Sequence, residues 1–196
     1  MVAPDSGADD GPDGANADEP YRGVVRAIPY AIRTSDSTLF RAYGLVGTLV
    51  AVFVGLLFGL ALVVLIARTT GTDGGTFTLS RAFFALVGLF AVGPLLAPVL
   101  FVARRHRRGD AVHSRYDGAL GLTGFLFVAA LYVGLVVSTP GADQVADAGP
   151  VLATLYALPR VAGLVPPLVA AGTTVAVHRA FSGDGAGVVR GGEVPE

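Results

Sequence analysis

Cysteine is absent from the chain, and with it every disulfide, every thiolate nucleophile and every cysteine-ligated metal or iron–sulfur site. Lysine is absent too, so all fourteen basic residues are arginine. Arginine grips phosphate through a planar bidentate fork where lysine offers a point charge. A compositional bias towards Arg, Ala, Gly and Val across the chain accounts for the same fact without any ligand. Charge is scarce as well. Charged residues make up 15% of the chain, against about 25% in a typical soluble domain. The deficit lies in long uncharged runs separated by short charged segments, which is the composition of a membrane protein. A net charge of −1 gives the chain no overall attraction to nucleic acid.

The two ends of the sequence have little to bury. Residues 1–20, MVAPDSGADDGPDGANADEP, hold six acidic residues and no basic one. Such a segment is expected to be disordered. It also lacks the basic start and apolar centre of a signal peptide. Residues 182–196 read as a second flexible tail. The folded part is therefore expected over 21–181, with a juxtamembrane segment at 21–41 and a transmembrane domain at 42–181.

Within that domain, 26 uncharged residues lie between Arg41 and Arg68, 22 between Arg81 and Arg104, and 25 between Asp117 and Asp143. A helix needs about 20 residues to cross the hydrocarbon layer. Lipid forces backbone groups to pair internally, which a helix achieves; the short alternation of a β-barrel strand is not present. The fourth run, from Pro150 to Val177, contains Pro159, Pro166, Pro167 and Arg160. A single helix over 147–181 would be about 52 Å long, too long for the bilayer core. The reading is a break near Pro159, with 161–178 in the membrane and Arg160 at the interface, where its stem can snorkel. An Arg160 held inside the membrane would instead be a functional cation. The spans are thus about 42–67, 82–103, 118–139 and 161–178.

Alternate connecting segments carry eleven basic residues against three. The arginine-rich side should be cytoplasmic, which places both termini inside. In 21–33, Tyr21, Val24, Val25, Ile28 and Ile32 share one helical face, while Arg22, Arg26 and Arg33 share another. This is the pattern of a short helix lying in the membrane surface, weakened by Pro29. The SDST at 35–38 supplies N-cap residues for the first span.

Candidate chemistry is sparse. Gly47, Ala51, Gly55 and Gly59 on the first span, and Ala130, Gly134 and Ser138 on the third, fall at four-residue spacing. Small residues so placed let another helix approach closely, either within the bundle or from a second copy. Pro94 and Pro98, four residues apart in the second span, imply a kink. The stretch FVARRHRRGDAVHSRYDG at 101–118 holds Arg104, Arg105, Arg107, Arg108 and Arg115. Arg104, Arg105, Arg107 and Arg108 are expected to contact lipid phosphates. His106, Asp110, His113 and Asp117 carry metal-ligating chemistry, but the surrounding arginines repel a cation, so no metal is assigned. The RGD at 108–110 is a chance match, and a loop this short offers no nucleic-acid face. Spans one to three contain no charged residue, and no Ser–His–Asp set, HExxH or P-loop is legible. No catalytic residue and no cofactor are expected.

The acidic leader, the missing lysine and cysteine, and the block YRGVVRAIPYAIRTSDSTLFRAYG followed by four spans resemble a small uncharacterised multi-span membrane protein family of halophilic archaea. The resemblance implies a plasma-membrane location and names no activity. The sequence-level expectation is an all-α, four-span membrane protein that is not an enzyme. Its partners would be the lipid bilayer and either a second copy or another membrane protein. The alternative is a small-solute or ion permeation protein using the proline-kinked spans and Arg160.

Overall fold

The computed structural model describes residues 23–71, 75–108 and 114–183. Among these residues there are six α-helices and no strand: α1 Val24–Thr34, α2 Thr38–Thr69, α3 Gly75–Arg107, α4 Ser114–Val137, α5 Pro150–Tyr156 and α6 Val165–Gly183. Short 3₁₀ turns at Gly141–Asp143 and Arg160–Leu164 flank α5. Four stretches are long and apolar enough to cross a membrane: Thr38–Thr69, Thr78–Arg107, Ser114–Val137 and Arg160–Ser182.

Local chemistry explains where these helices begin and end. Ser37 caps α2, its Oγ accepting the Phe40 N–H at 3.3 Å, which satisfies one of the four free donors of a helix start. At the other end of α2, the Thr69 and Thr70 hydroxyls donate to the Leu65 and Ile66 carbonyls. Gly71 then turns the chain with φ +85°, a conformation that glycine adopts without steric cost. Pro150 opens α5 at its first position. Pro166 and Pro167 fall in the first turn of α6, where no N–H partner is needed. The chain does break near Pro159, into the Arg160–Leu164 turn.

α4 is the central helix. It packs against α2, α3 and α6, whereas the α2 and α6 backbones do not approach each other. Two clusters fill the bundle. One joins Ala27 and Ala31 of α1, Phe40 and Tyr43 of α2, Val99, Val102 and Ala103 of α3, and Tyr116 and Leu120 of α4. The other joins Ala51, Leu95, Phe127 and Ala170. Farther along α2 and α3, towards their 71–75 connection, the two helices run with little cover; Phe53, Leu56, Leu60, Val63, Phe83 and Phe90 are exposed.

Close approach, rather than large interlocking side chains, sets the helix crossings. A Cβ on Gly163 would lie 2.5 Å from the Gly134 carbonyl oxygen, and one on Gly134 would strike the Gly163 carbonyl in return. The Ser138 hydroxyl donates across the same crossing to the Arg160 carbonyl at 3.2 Å. At the other end of α4, a Cβ on Gly121 would come within 2.9 Å of the Phe40 Cα. Tyr43 lies against Gly124 and donates its hydroxyl proton to the Leu95 carbonyl at 2.6 Å. Leu95 neighbours Pro94, whose own carbonyl has lost its helical donor to Pro98.

The helix at 24–34 is present, but Ala27 and Ala31 form its buried face, against α3. Ile28 and Ile32 are half-buried at the edge of that contact, and Arg26 and Arg33 point outward. Two alanines let the α1 backbone sit close to α3.

The glycine crossing yields a direct test. Gly134→Leu should destabilise the fold by about 1–3 kcal/mol or more through overpacking. Gly172→Ala, which meets open space, should be neutral or stabilising by up to about 1 kcal/mol. Thermal melts followed by circular dichroism in detergent would read both. Equal melting of Gly134→Leu and the wild type would refute the backbone-to-backbone contact.

Candidate functional site: a buried polar cluster at the arginine end

One end of the bundle brings Ser35, His106, Tyr116, Asp117 and His178 together. It is where α1 hands over to α2, α3 ends, α4 begins and α6 ends, and most of the arginines lie there; Arg68, Arg81 and Arg160 lie at the far end.

Asp117, in the first turn of α4, is 1% exposed. Its Oδ2 accepts the Ser35 hydroxyl at 2.6 Å and His106 Nε2–H at 3.0 Å. Ser35 is wholly buried between α1 and α2. Its Oγ also accepts the Ser37 N–H at 3.3 Å, and its carbonyl accepts Arg41 Nε–H at 2.7 Å. One carboxylate therefore ties the α1–α2 link, the end of α3 and the start of α4. Charge-assisted bonds of this kind are roughly twice as strong as neutral ones.

The neighbouring residue makes a second tie. The Tyr116 hydroxyl lies 2.7 Å from His178 Nδ1 on α6 and donates to it when that nitrogen is unprotonated. The His178 ring stacks on Phe101 of α3, with centroids 4.2 Å apart and planes 7° from parallel. Arg105 reaches inward over this pair. Its Cζ stands 4.3 Å from the Tyr116 ring centroid, a cation–π contact, and Nη2 donates to the Phe181 carbonyl at 3.2 Å. Arg105 Nη1 and Asp117 Oδ1 are buried atoms with no partner among the described residues.

A serine, a histidine and an aspartate do meet here, contrary to the sequence-level reading that no such set exists. Their order is not that of a hydrolase, in which histidine lies between serine and aspartate. Here Asp117 lies between Ser35 and His106, and the arrangement binds helices together. His106 of α3 and Asp117 of α4 meet between two helices rather than along one helix face. Asp110 and His113 lie outside the described residues. Among the described residues no group of three metal-ligating side chains gathers.

The arginines divide by direction. Arg104 and Arg108 are exposed, as phosphate contact requires, and so is Arg107, whereas Arg105 is half-buried and turned towards Tyr116. Of the small residues on α2, Gly47 and Ala51 are buried and Gly55 is half-buried, with Val92 at 3.9 Å from a built Cβ; Gly59 is exposed to open space. Ala130 packs beside the second cluster and Gly134 is buried in the crossing described above. Arg160 is exposed at the far end, at the start of its 3₁₀ turn. Sequence reasoning missed Ser35, Tyr116 and His178. The one signal available was a lone Asp next to the third span, where an unpaired carboxylate would be costly.

A family model described as Domain of unknown function (DUF8056) matches residues 10–182, and the chain belongs to that family. No curated protein and no solved structure matches it.

If Asp117 is the tie-point, removing it should cost about 3 kcal/mol or more, because Ser35 and His106 lose their shared acceptor. Ser35→Ala alone should cost about 1 kcal/mol. In Asp117→Ala, Ser35→Ala should then cost almost nothing further. A double-mutant cycle by thermal or denaturant melts reads this coupling; additive losses would mean that the two side chains act separately.

Proposed function

Starting from a family with no assigned activity, we propose that the chain is a non-enzymatic structural or partner-binding component of the cell membrane. Both termini are assigned to the cytoplasm, because the arginine end then lies on the side where basic residues accumulate. The acidic leader at 1–20 and the absence of lysine support a salt-loving host.

One observation carries this reading. Ser35, His106, Tyr116, Asp117 and His178 are bonded to one another, while the far half of the α2–α3 pair has an apolar surface with a notch. Gly59 opens that notch, with nothing within 4 Å of a built Cβ, and Leu56, Leu60 and Val63 surround it. Small residues let a further helix come close in lipid, where dispersion and lipid entropy hold helices together. α2, at 32 residues, is about 48 Å long and exceeds the bilayer core, a mismatch that association with a second membrane helix relieves. The occupant is a span of a second copy or of another membrane protein.

Arg160 fits the interfacial reading best, because it is exposed at the far end, at the start of its 3₁₀ turn. A permeation role would need it inside the bundle. Flux through reconstituted protein that fell in Arg160→Ala would revive that alternative.

The chain has no cysteine of its own, so a single Leu60→Cys reports contact cleanly. Oxidative crosslinking in native membranes should give a covalent dimer or adduct from Leu60→Cys. Leu122→Cys, exposed on α4, should give none. Adding Gly59→Leu should reduce the Leu60→Cys product about tenfold, the effect of roughly 1.4 kcal/mol of lost packing. Monomer from every variant would rule the proposal out.

A further inference from the structure

Among the described residues, nine arginines lie at one end of the bundle, on α1, the start of α2, the end of α3, the start of α4 and the end of α6. Two carboxylates share that end with them. Asp117 is buried and bonded to Ser35 and His106, which leaves Asp36 as the one exposed carboxylate there among the described residues. An excess of one charge on this scale draws anions from the surroundings.

The excess has a focus. Phe101, Arg104, Arg105 and Arg108 follow at helical spacing along one side of α3. Phe101 stacks on the His178 ring of α6, Arg105 donates to the Phe181 carbonyl of α6, and the charges of Arg104 and Arg108 bear on His178. This side of α3 therefore meets α6. Arg104 and Arg108 remain exposed, as does Arg179, the residue after His178 on α6. Among the described residues no carboxylate pairs with any of these three.

An apolar track leads away from them. Leu168, Gly172 and Val175 fall within a narrow arc of α6 that also contains Arg179. All three are exposed, and Gly172 leaves open space where a side chain would stand. The track runs into the membrane-spanning part of α6. A soluble anion would use the arginines alone, whereas an amphiphile uses the arginines and the track together.

We propose that the α3–α6 edge at the arginine end binds an anionic phospholipid, its phosphate held by Arg104, Arg108 and Arg179 and an acyl chain lying over Gly172 between Leu168 and Val175. Guanidinium groups offer paired N–H donors that match phosphate oxygens. A zwitterionic headgroup would bring its own cation against the same arginines. The proposal rests on the chain lying in a bilayer and not on what fills the Gly59 notch, so the crosslinking test of that notch and the lipid test of this edge can fail separately.

The full chain in detergent, given equal amounts of dioleoylphosphatidylglycerol and dioleoylphosphatidylcholine, provides the test, with retained lipid read by native mass spectrometry. About 0.15 M ammonium acetate sets a Debye length of about 8 Å, which weakens attraction other than direct contact. The wild type should retain phosphatidylglycerol about tenfold over phosphatidylcholine, as expected of charge-assisted bonds. Arg104→Gln with Arg108→Gln should abolish the preference, and Arg179→Gln, on the neighbouring helix, should lower it alone. Arg26→Gln with Arg33→Gln removes the same charge from exposed positions on α1 and should leave the preference intact. Excess inorganic phosphate should not displace the lipid. All variants should melt like the wild type in phosphatidylcholine alone, so that a lost preference reads binding and not folding. Equal retention of both lipids by the wild type, the result if the six carboxylates of residues 1–20 covered these arginines instead, would overturn the proposal. So would a preference lost equally in the α1 and α3 pairs, which is the mark of diffuse charge, or a lipid displaced by phosphate, which is the mark of a soluble-anion site.

Discussion

Helices surrounded by hydrocarbon gain nothing from hiding apolar surface against one another, since lipid tails are as apolar as leucine. Whatever holds these four spans together must come from close contact or from polar groups with nowhere else to go. The structure uses both, at different heights. Midway along and at the far end, α4 meets its neighbours through glycine and alanine, and at Gly134 and Gly163 the two backbones touch. At the arginine end, one carboxylate and one tyrosine hydroxyl collect side chains from every span or from the link that precedes it.

This division explains why α4 is central. It has both devices: Gly121, Gly124 and Gly134 for approach, and Tyr116 and Asp117 for polar ties. α2 has glycines as well, but only Gly44 and Gly47 meet close neighbours within this chain, and both are near the arginine end. Beyond Ala51 the helix meets α3 through contacts such as Phe58 with Phe84 at 5.2 Å and with Gly88. The bundle is consequently tight at one end and open along one edge.

Much of the architecture was legible in the sequence because its physics is one-dimensional. Uncharged runs of 22 to 26 residues state their own length against a bilayer, and the prolines at 159, 166 and 167 mark where the fourth run breaks. The α1 face shows a limit of the same kind. Periodicity finds the most apolar arc, Val24 to Ile32, but the buried residues are the small ones, Ala27 and Ala31, whose value lies in permitting contact. The polar cluster was hardest to see. Ser35, His106, Asp117 and His178 are spread over more than 140 positions, and nothing local tells a serine in SDST that its partner lies 82 residues on. That proximity exists only once the spans are placed side by side.

The RRHRR segment shows how one short stretch divides between these roles. Residues four apart on a helix share a face, so Arg104 and Arg108 project together to the outside. Arg105 and His106 lie round the helix from them, and each turns inward, one to Tyr116 and the other to Asp117. A loop that merely stopped a span at the membrane surface would need positive charge and no particular order. Here the order matters. Exchanging His106 with Arg107 would preserve the net charge and the positive-inside signal, yet would put a longer guanidinium where the imidazole meets the buried Asp117 carboxylate. The segment thus works as an anchor by its composition and as a clasp by its register, and only the second property ties it to the rest of the fold.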